Sequence, residues 1–316
     1  MLNTDPELYG LYLGILALLV VATVAGFYLE WKVTTPRGRD TVANLNARVR
    51  AWWLMCGVFA VANLTGTLST IALFALLSFL ALREFVTLTP TRQGDHRSLL
   101  FIFFCLMPLQ YLLVGVQWYG LFSVLVPVYA FLFIPTMNAL QGDPKHFLER
   151  TSKLQWSAMI CIYCLSHAPA LLMLEIPGYE GENAKLLLFL VLVAQLSDVL
   201  QYVWGKTTGK RAIAPHISPN KTIEGFIGGV SSATLVGTLL WWATPFHPFV
   251  AWLMALIIGL AGFAGGLTMS AIKRDRGVKD YGSLIEGHGG VLDRIDSVCF
   301  AAPLFFHVVR FFFSTV

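Results

Sequence analysis

Charge is what this 316-residue sequence has least of: Asp, Glu, Lys and Arg make up 13% of it, against about 25% in a soluble domain. Hydrophobic residues make up 56%, and the mean hydropathy is +0.68. A chain of this size cannot bury so much apolar surface in one aqueous core, because the surface it shows to water grows with its mass. A soluble enzyme, a disordered chain and a fibrous repeat are therefore excluded, and the fitting solvent is a lipid bilayer. Cysteine is sparse, five in all, and no second pair matches Cys161 and Cys164 at zinc-ribbon spacing. Both read as small helix fillers. No Gly-x-Ser-x-Gly elbow, Cys/His pair or HExxH occurs, which removes nucleophilic triads and zinc hydrolases. No basic stretch precedes the first apolar run, and that run is too long for a cleaved signal peptide, so it predicts a retained span.

What is present is a series of apolar runs, near 8–30, 98–115, 118–138, 154–175, 185–204, 225–244, 249–272 and 297–316. Each is close to the roughly 20 residues that cross a hydrocarbon core. Residues 51–82 are apolar too, broken by Asn63-Leu64-Thr65-Gly66-Thr67, and predict two short spans joined by a tight turn. The fold class is thus all-α, a polytopic helical bundle with about ten transmembrane helices. The segments 31–50, 83–98, 139–154, 205–224 and 273–296 hold 20 of the 22 Lys and Arg. The connections between them hold none, although Lys185 lies at the mouth of a span. Basic loops stay in the cytoplasm, so both termini are expected outside.

The last two basic segments differ from the others in being rich in Gly, Pro, His, Ser, Lys and Asp. They divide the chain into residues 1–184, mainly structural helices, and 185–316, a catalytic region with cytoplasmic loops 205–224 and 273–296. Asp198 lies inside an apolar run, where a carboxylate costs at least about 2.5 kcal/mol. Gln195, Asp198 and Gln201 recur at helical spacing and form one polar stripe. That stripe fits a cation or substrate site, a buried hydrogen-bond network or an ion-coupled transporter, although no internal repeat supports the last.

The following loop carries Lys206, Lys210 and Arg211, then Ile217-Ser218-Pro219-Asn220-Lys221-Thr222-Ile223-Glu224-Gly225. Gly205-Lys206-Thr207 lacks the earlier Gly of a P-loop, since Leu200 stands there. Ser218-Pro219 instead predicts a helix start, whose N-terminus beside Lys221 and Thr222 suits a phosphate. Gly262 and Gly266 predict close helix packing. Further on, Asp293 and Asp296 are three apart and share a helix face, where oxygen ligands suit Mg²⁺. With Lys and Arg alongside, these are the ingredients for handling polyphosphate. A lipid phosphate brings its own nucleophilic oxygen, so the protein need only position two anions and neutralise the leaving pyrophosphate.

From Ser270 to Asp296 the chain resembles the phosphatidate cytidylyltransferase family, also called CDP-diacylglycerol synthases. The shared members are Ser270, Lys273, Arg274, Lys279, Asp280, His288, Gly289, Gly290, Asp293, Arg294 and Asp296. The stretch from Asp198 to Gly225 is similar to the family's second block. The resemblance implies transfer of CMP from CTP to phosphatidate with Mg²⁺, and a second cation in members that keep both carboxylates. It implies Asp293, Lys273, Lys279 and Asp280 as catalytic, with Asp293 and Asp296 at the metal. Asp198, Lys206, Lys210, Arg211, Ser218, Lys221, Thr222, Arg274, His288, Gly289, Gly290 and Arg294 would bind substrate.

The implied partners are CTP, phosphatidate or a related lipid phosphate and the membrane lipids, with no nucleic acid and a homodimer allowed. The implied place is the bacterial inner (plasma) membrane, with the site facing the cytoplasm. Members carry Gly-Asp-Leu ahead of Ser-x-x-Lys-Arg, and that Asp is a metal ligand. Here the triplet is Gly265-Gly266-Leu267, while Met269 and Glu286 depart from the family's usual acidic and small residues. A catalytically silent CTP- or lipid-binding relative is the alternative that this loss leaves.

Overall fold

A computed structural model describes residues 5–284 and 289–315. Among the described residues ten long helices run in chain order: α1 (Pro6–Lys32), α2 (Pro36–Thr65), α3 (Thr67–Leu88), α4 (Gln93–Gly115), α5 (Tyr119–Ala139), α6 (Phe147–Met173), α7 (Asn183–Thr207), α8 (Ile223–Leu239), α9 (Pro248–Asp275) and α10 (Leu292–Phe313). Helices α4 to α6 each pass through a wide π turn, at Ile102–Leu106, Leu125–Ala130 and Met159–Cys164. Pro127 sits inside the second of these turns and Pro108 follows the first by two residues; a proline lacks the N–H of the regular ladder, and its ring crowds the preceding turn.

Eight of the ten helices are long and apolar enough to cross a membrane. The other two are α2, polar in its first half, and α8, whose 17 residues span about 25 Å. Contacts at the helix ends show that both still run from one face of the bundle to the other. Near the end of α2, Asn63 Nδ2 donates to Tyr12 Oη of α1 at 2.8 Å and to the Ala184 carbonyl at 3.3 Å. Tyr179 donates to the Ala243 carbonyl just past α8, and the Thr315 N–H donates to Glu175. The start of α1, the 175–184 connection and the chain end therefore share one face. The ends of α3, α7 and α9 and the starts of α8 and α10 share the other. This is the parity that the basic segments predict. The tight turn between α2 and α3 falls at Gly66, whose φ of 122° is open only to glycine.

One core of buried side chains runs from α3 through α10, whereas α1 shows Leu13, Val21, Val24 and Phe27 to the surroundings. In lipid such apolar faces are the expected exterior. Lys185, read from sequence as a charge at a span mouth, is buried. It bridges Asp5 at 3.1 Å, Glu7 at 2.5 Å and Glu182 at 2.8 Å, which ties α1 to α7.

The expected helix start at Ser218-Pro219 is corrected. Residues Ser218–Thr222 are a strand, β2, paired antiparallel with β1 (Ala212–Ala214), with Ala212 opposite Thr222 and Ala214 opposite Ser218. Pro219 disfavours helical backbone at Ser218, and helix α8 begins only at Ile223. Thr222 is its N-cap: the hydroxyl oxygen accepts from the Gly225 N–H at 3.1 Å.

Candidate active site

Two clusters of charge meet where α7, α9 and α10 converge below the β-hairpin. The first is centred on Asp293, in the opening turn of α10 and 6% exposed. Its Oδ1 takes the Lys273 ammonium at 2.6 Å. Its Oδ2 accepts from the Tyr281 N–H at 2.7 Å and the Gly290 N–H at 3.0 Å. One carboxylate thus fastens the last turn of α9, the following loop and the start of α10. Gly289 has φ 84°, and a Cβ there would stand 2.9 Å from Asp293 Oδ2. Only glycine lets that loop close on the carboxylate. Burial pushes the Tyr281 phenol well above its usual range. Its hydroxyl donates to the Met269 carbonyl at 3.1 Å.

Glu84, near the end of α3, completes this cluster and was not among the residues singled out from sequence. Its carboxylate accepts from the Val291 and Leu292 N–H groups, each at 2.9 Å. The first N–H groups of a helix have no partner within it, and negative charge is favoured there. The only sequence signal was an Arg83-Glu84 pair at the end of an apolar run, which any interfacial span would show. Glu84→Gln is expected to destabilise the protein by about 1–2 kcal/mol through lost charge at that helix end. Thermal unfolding of the full chain in detergent checks this, and an unchanged Tm would remove Glu84 from the framework.

The second cluster holds Lys221, Asp198 and Asp296. Lys221 reaches from β2 over the Phe263 ring, at 5.1 Å from its centre. Its Nζ stands 2.6 Å from where a Cβ on Gly266 would lie, and Asp296 Oδ2 is 3.8 Å from the same point. Gly266 therefore does not serve the helix packing expected of it. Gly262 and Gly265 pack α9 onto Ser297, Asp296 and Phe300 of α10, while Gly266 makes room for an ammonium. Burial pushes the Lys221 ammonium below the usual lysine range, and Asp198 and Asp296 draw it back up. Asp198 on α7 lies within reach of Asp296, Lys221, Ser297 and Arg294.

These donors set what a cation can use. Mg²⁺ is held by one or two carboxylates together with substrate phosphates and water. Asp198 and Asp296 supply such a pair, with Asp296 Oδ1 accepting from the Ser297 N–H at 2.8 Å and Asp198 beside the Ser297 side chain. The pair fits Mg²⁺. Asp293 has both oxygens engaged by protein donors, so a cation there must take Oδ1 from Lys273. Among the described residues the one tight trio of carboxylates, Asp5, Glu7 and Glu182, lies at the opposite face and already encloses Lys185.

The remaining expected residues fall into three groups. Arg274 donates to the Ile217 carbonyl at 3.2 Å and to the Val278 carbonyl at 2.9 Å, so it fastens the hairpin to the loop after α9. Lys206, Lys210 and Arg211 lie exposed around the hairpin, where Glu224 accepts from the Lys210 and Arg211 backbone N–H groups. Ser218 is half-buried in β2, and Thr222 is occupied as the N-cap. Lys279 and Asp280 are exposed, with Asp280 packed beside Gly289. Arg294 lines the groove between α2, α3, α7 and α10, and its charge also acts on Asp198 and Asp296. His288 lies outside the described residues.

A ten-helix membrane bundle that gathers lysines and paired carboxylates at one end has the make-up of a polyphosphate-handling membrane enzyme. The sequence comparisons name the class. Residues 46–312 match the cytidylyltransferase family, and the chain belongs to it. The chain is a nucleotidyltransferase. It is 40% identical over 299 residues to the uncharacterized protein YnbB of Escherichia coli K12, covering 93% of this chain and 96% of that one. It is 38% identical over 158 residues to a phosphatidate cytidylyltransferase of Staphylococcus epidermidis, covering 48% of this chain and 60% of the relative. With the Staphylococcus aureus enzyme of that name the identity is 34% over 194 residues, 58% of this chain and 74% of the relative.

Proposed function

We propose that this protein transfers CMP from CTP to phosphatidate, giving CDP-diacylglycerol and pyrophosphate, at the cytoplasmic face of the inner membrane. The observation that carries the reading is the convergence of Lys221, Lys273, Asp198, Asp293 and Asp296 at the end of the bundle where the basic loops gather. A water-soluble triphosphate and a lipid headgroup meet only at such an interface. The relatives named phosphatidate cytidylyltransferase supply the substrate pair.

In the reaction a phosphatidate oxygen attacks the α-phosphorus of CTP. The bond from that phosphorus to the bridging oxygen of the β-phosphate breaks, and pyrophosphate leaves with the electron pair. The nucleophile is anionic at neutral pH, so no protein base is required. Lys221 and Lys273 lower the repulsion between the two phosphates, and Asp293 keeps Lys273 in place. Asp198 and Asp296 would hold Mg²⁺, which neutralises charge on the departing phosphates when bound. The exposed Lys206, Lys210, Arg211 and Lys279 attract the triphosphate from solution. Helices of the 185–316 region supply this chemistry, and Glu84 joins them from the 1–184 region.

The test is direct. Full-length protein reconstituted in lipid is given Mg²⁺, CTP and phosphatidate. Pyrophosphate and CDP-diacylglycerol are expected in equal amounts. Transfer to another lipid phosphate but not to phosphatidate would overturn the substrate assignment, and no product with any lipid phosphate would overturn the activity.

A further inference from the structure

At the face opposite the two charged clusters, a cavity of about 510 Å³ opens between the starts of α3 and α7, the 175–184 connection and the chain end. Leu172, Met173 and Ile176 give it an apolar wall, and Glu175, Glu180, Asn63 and Asn183 line the rest with oxygen atoms. No lysine, arginine or histidine lines it among the described residues. Asn63 is 2% exposed, and its Nδ2 is spent on Tyr12 Oη and the Ala184 carbonyl. Asn183 spends its Nδ2 on the Leu174 carbonyl at 2.7 Å. The Oδ1 atoms of both are buried and accept no hydrogen bond among the described residues.

A buried oxygen left without a donor is costly. The carboxylates nearby add negative charge. Glu180 accepts the Gly178 N–H at 2.9 Å, which holds its carboxyl below the usual carboxylate range. The cations of this face are engaged elsewhere. Lys185 is enclosed by Asp5, Glu7 and Glu182, and Arg310 lies over the Tyr119 ring, 3.4 Å from its centre.

The ligand must therefore bring the donors and the positive charge. A metal ion needs its oxygen ligands gathered round one point, and Glu175 and Glu180 join no tight trio of ligating side chains among the described residues. A neutral polyol would leave both carboxylates without a counter-charge. An ethanolamine headgroup would carry in a phosphate that the carboxylates repel. An ammonium on an alkyl chain answers each feature: N–H donors for the amide oxygens, charge for the carboxylates and methylenes for the apolar wall.

We infer that this cavity binds a linear alkyl diamine or polyamine. Its ammonium groups are held by Asn63, Asn183, Glu175 and Glu180, and its methylenes lie along Leu172, Met173 and Ile176. The site stands apart from the cytidylyltransferase reading and requires no turnover.

Calorimetric titration of the full-length protein in a neutral detergent tests it, with cadaverine as the probe and pentanediol as its uncharged analogue. Cadaverine is expected to bind saturably, one per chain, and pentanediol not at all. Glu175→Gln with Glu180→Gln should weaken cadaverine at least about tenfold, the loss of charge-assisted hydrogen bonds. Asp275→Asn, an exposed carboxylate at the other face, should leave the affinity unchanged. Thr67→Arg, at the exposed rim of the cavity, supplies a tethered cation and should abolish binding. Uptake of pentanediol, equal weakening by Asp275→Asn, or cadaverine binding that survives Thr67→Arg would each overturn the inference.

Two further arms separate the rival occupants. Magnesium chloride at matched ionic strength should not displace cadaverine, and displacement would mark a metal site instead. Cadaverine should bind equally in nanodiscs of phosphatidylethanolamine and of phosphatidylcholine, whose quaternary ammonium has no N–H to donate. Loss of binding in phosphatidylethanolamine alone would give the cavity to a lipid headgroup and overturn the soluble amine.

Discussion

Asp293→Asn is expected to lower kcat/KM at least about a hundredfold, the scale on which a preorganised charge contributes to catalysis. It is also expected to lower stability by about 3 kcal/mol, because it leaves one partner of a buried ion pair uncompensated. The geometry gives both effects. Asp293 accepts the Lys273 ammonium on one oxygen and two backbone N–H groups on the other. An amide must turn its NH₂ toward one of those donor sets, and it carries no charge to hold Lys273. The side chain of Lys273 is 12% exposed, so water cannot replace the lost partner freely.

The double variant Lys273→Met with Asp293→Asn separates the two roles. Removing the stranded ammonium should restore much of the lost Tm, since contacting residues are not additive. It should restore no pyrophosphate release. A single Asp293→Asn variant that turns over CTP like the wild type would dismiss the carboxylate as the fastener of the site.

How much of this was legible in the sequence follows from the range of each interaction. The spans were legible because hydropathy is local, and the shared face of the termini followed from where 20 of 22 basic residues sit. Even the turn at Gly66 was marked by its flanking Asn and Thr residues. Lys221 and Asp198 stood out because each is expensive in apolar surroundings. Glu84 did not, since its partners Val291 and Leu292 are more than 200 residues away and donate backbone groups with no residue signature.

The hairpin was missed because three- and five-residue strands are too short for an alternating pattern. Ser218-Pro219 also imitates a helix start until the pairing of Ala214 with Ser218 is seen. Gly262, Gly265 and Gly266 look alike in sequence. Which of them faces a helix and which faces an ammonium depends on the approach of β2, a tertiary fact.

That last distinction gives the second large effect. Lys221→Ala is expected to reduce kcat/KM for CTP by about a hundred- to a thousandfold, the cost of deleting a charge aimed at a transferring phosphate. Lys221→Arg should recover only part of it, because a planar guanidinium does not substitute for a compact ammonium packed over Phe263 and Gly266. The same variants report on the cation. With Lys221 gone, Asp198 and Asp296 lose their shared counter-charge, so the Mg²⁺ concentration for half-maximal rate should fall even as the rate drops.

Gly266→Asp works from the other side. Its Cβ displaces the end of a flexible lysine rather than backbone, so the fold should tolerate it, and the new carboxylate adds an oxygen ligand beside Asp296 Oδ2. Its half-maximal Mg²⁺ should drop about tenfold, in line with the effect of ligand charge count on cation sites. Steady-state rates against Mg²⁺ concentration for wild type, Lys221→Ala and Gly266→Asp decide the matter. If neither variant moves the Mg²⁺ dependence, the cation is not held by Asp198 and Asp296, and Lys221 acts on CTP alone.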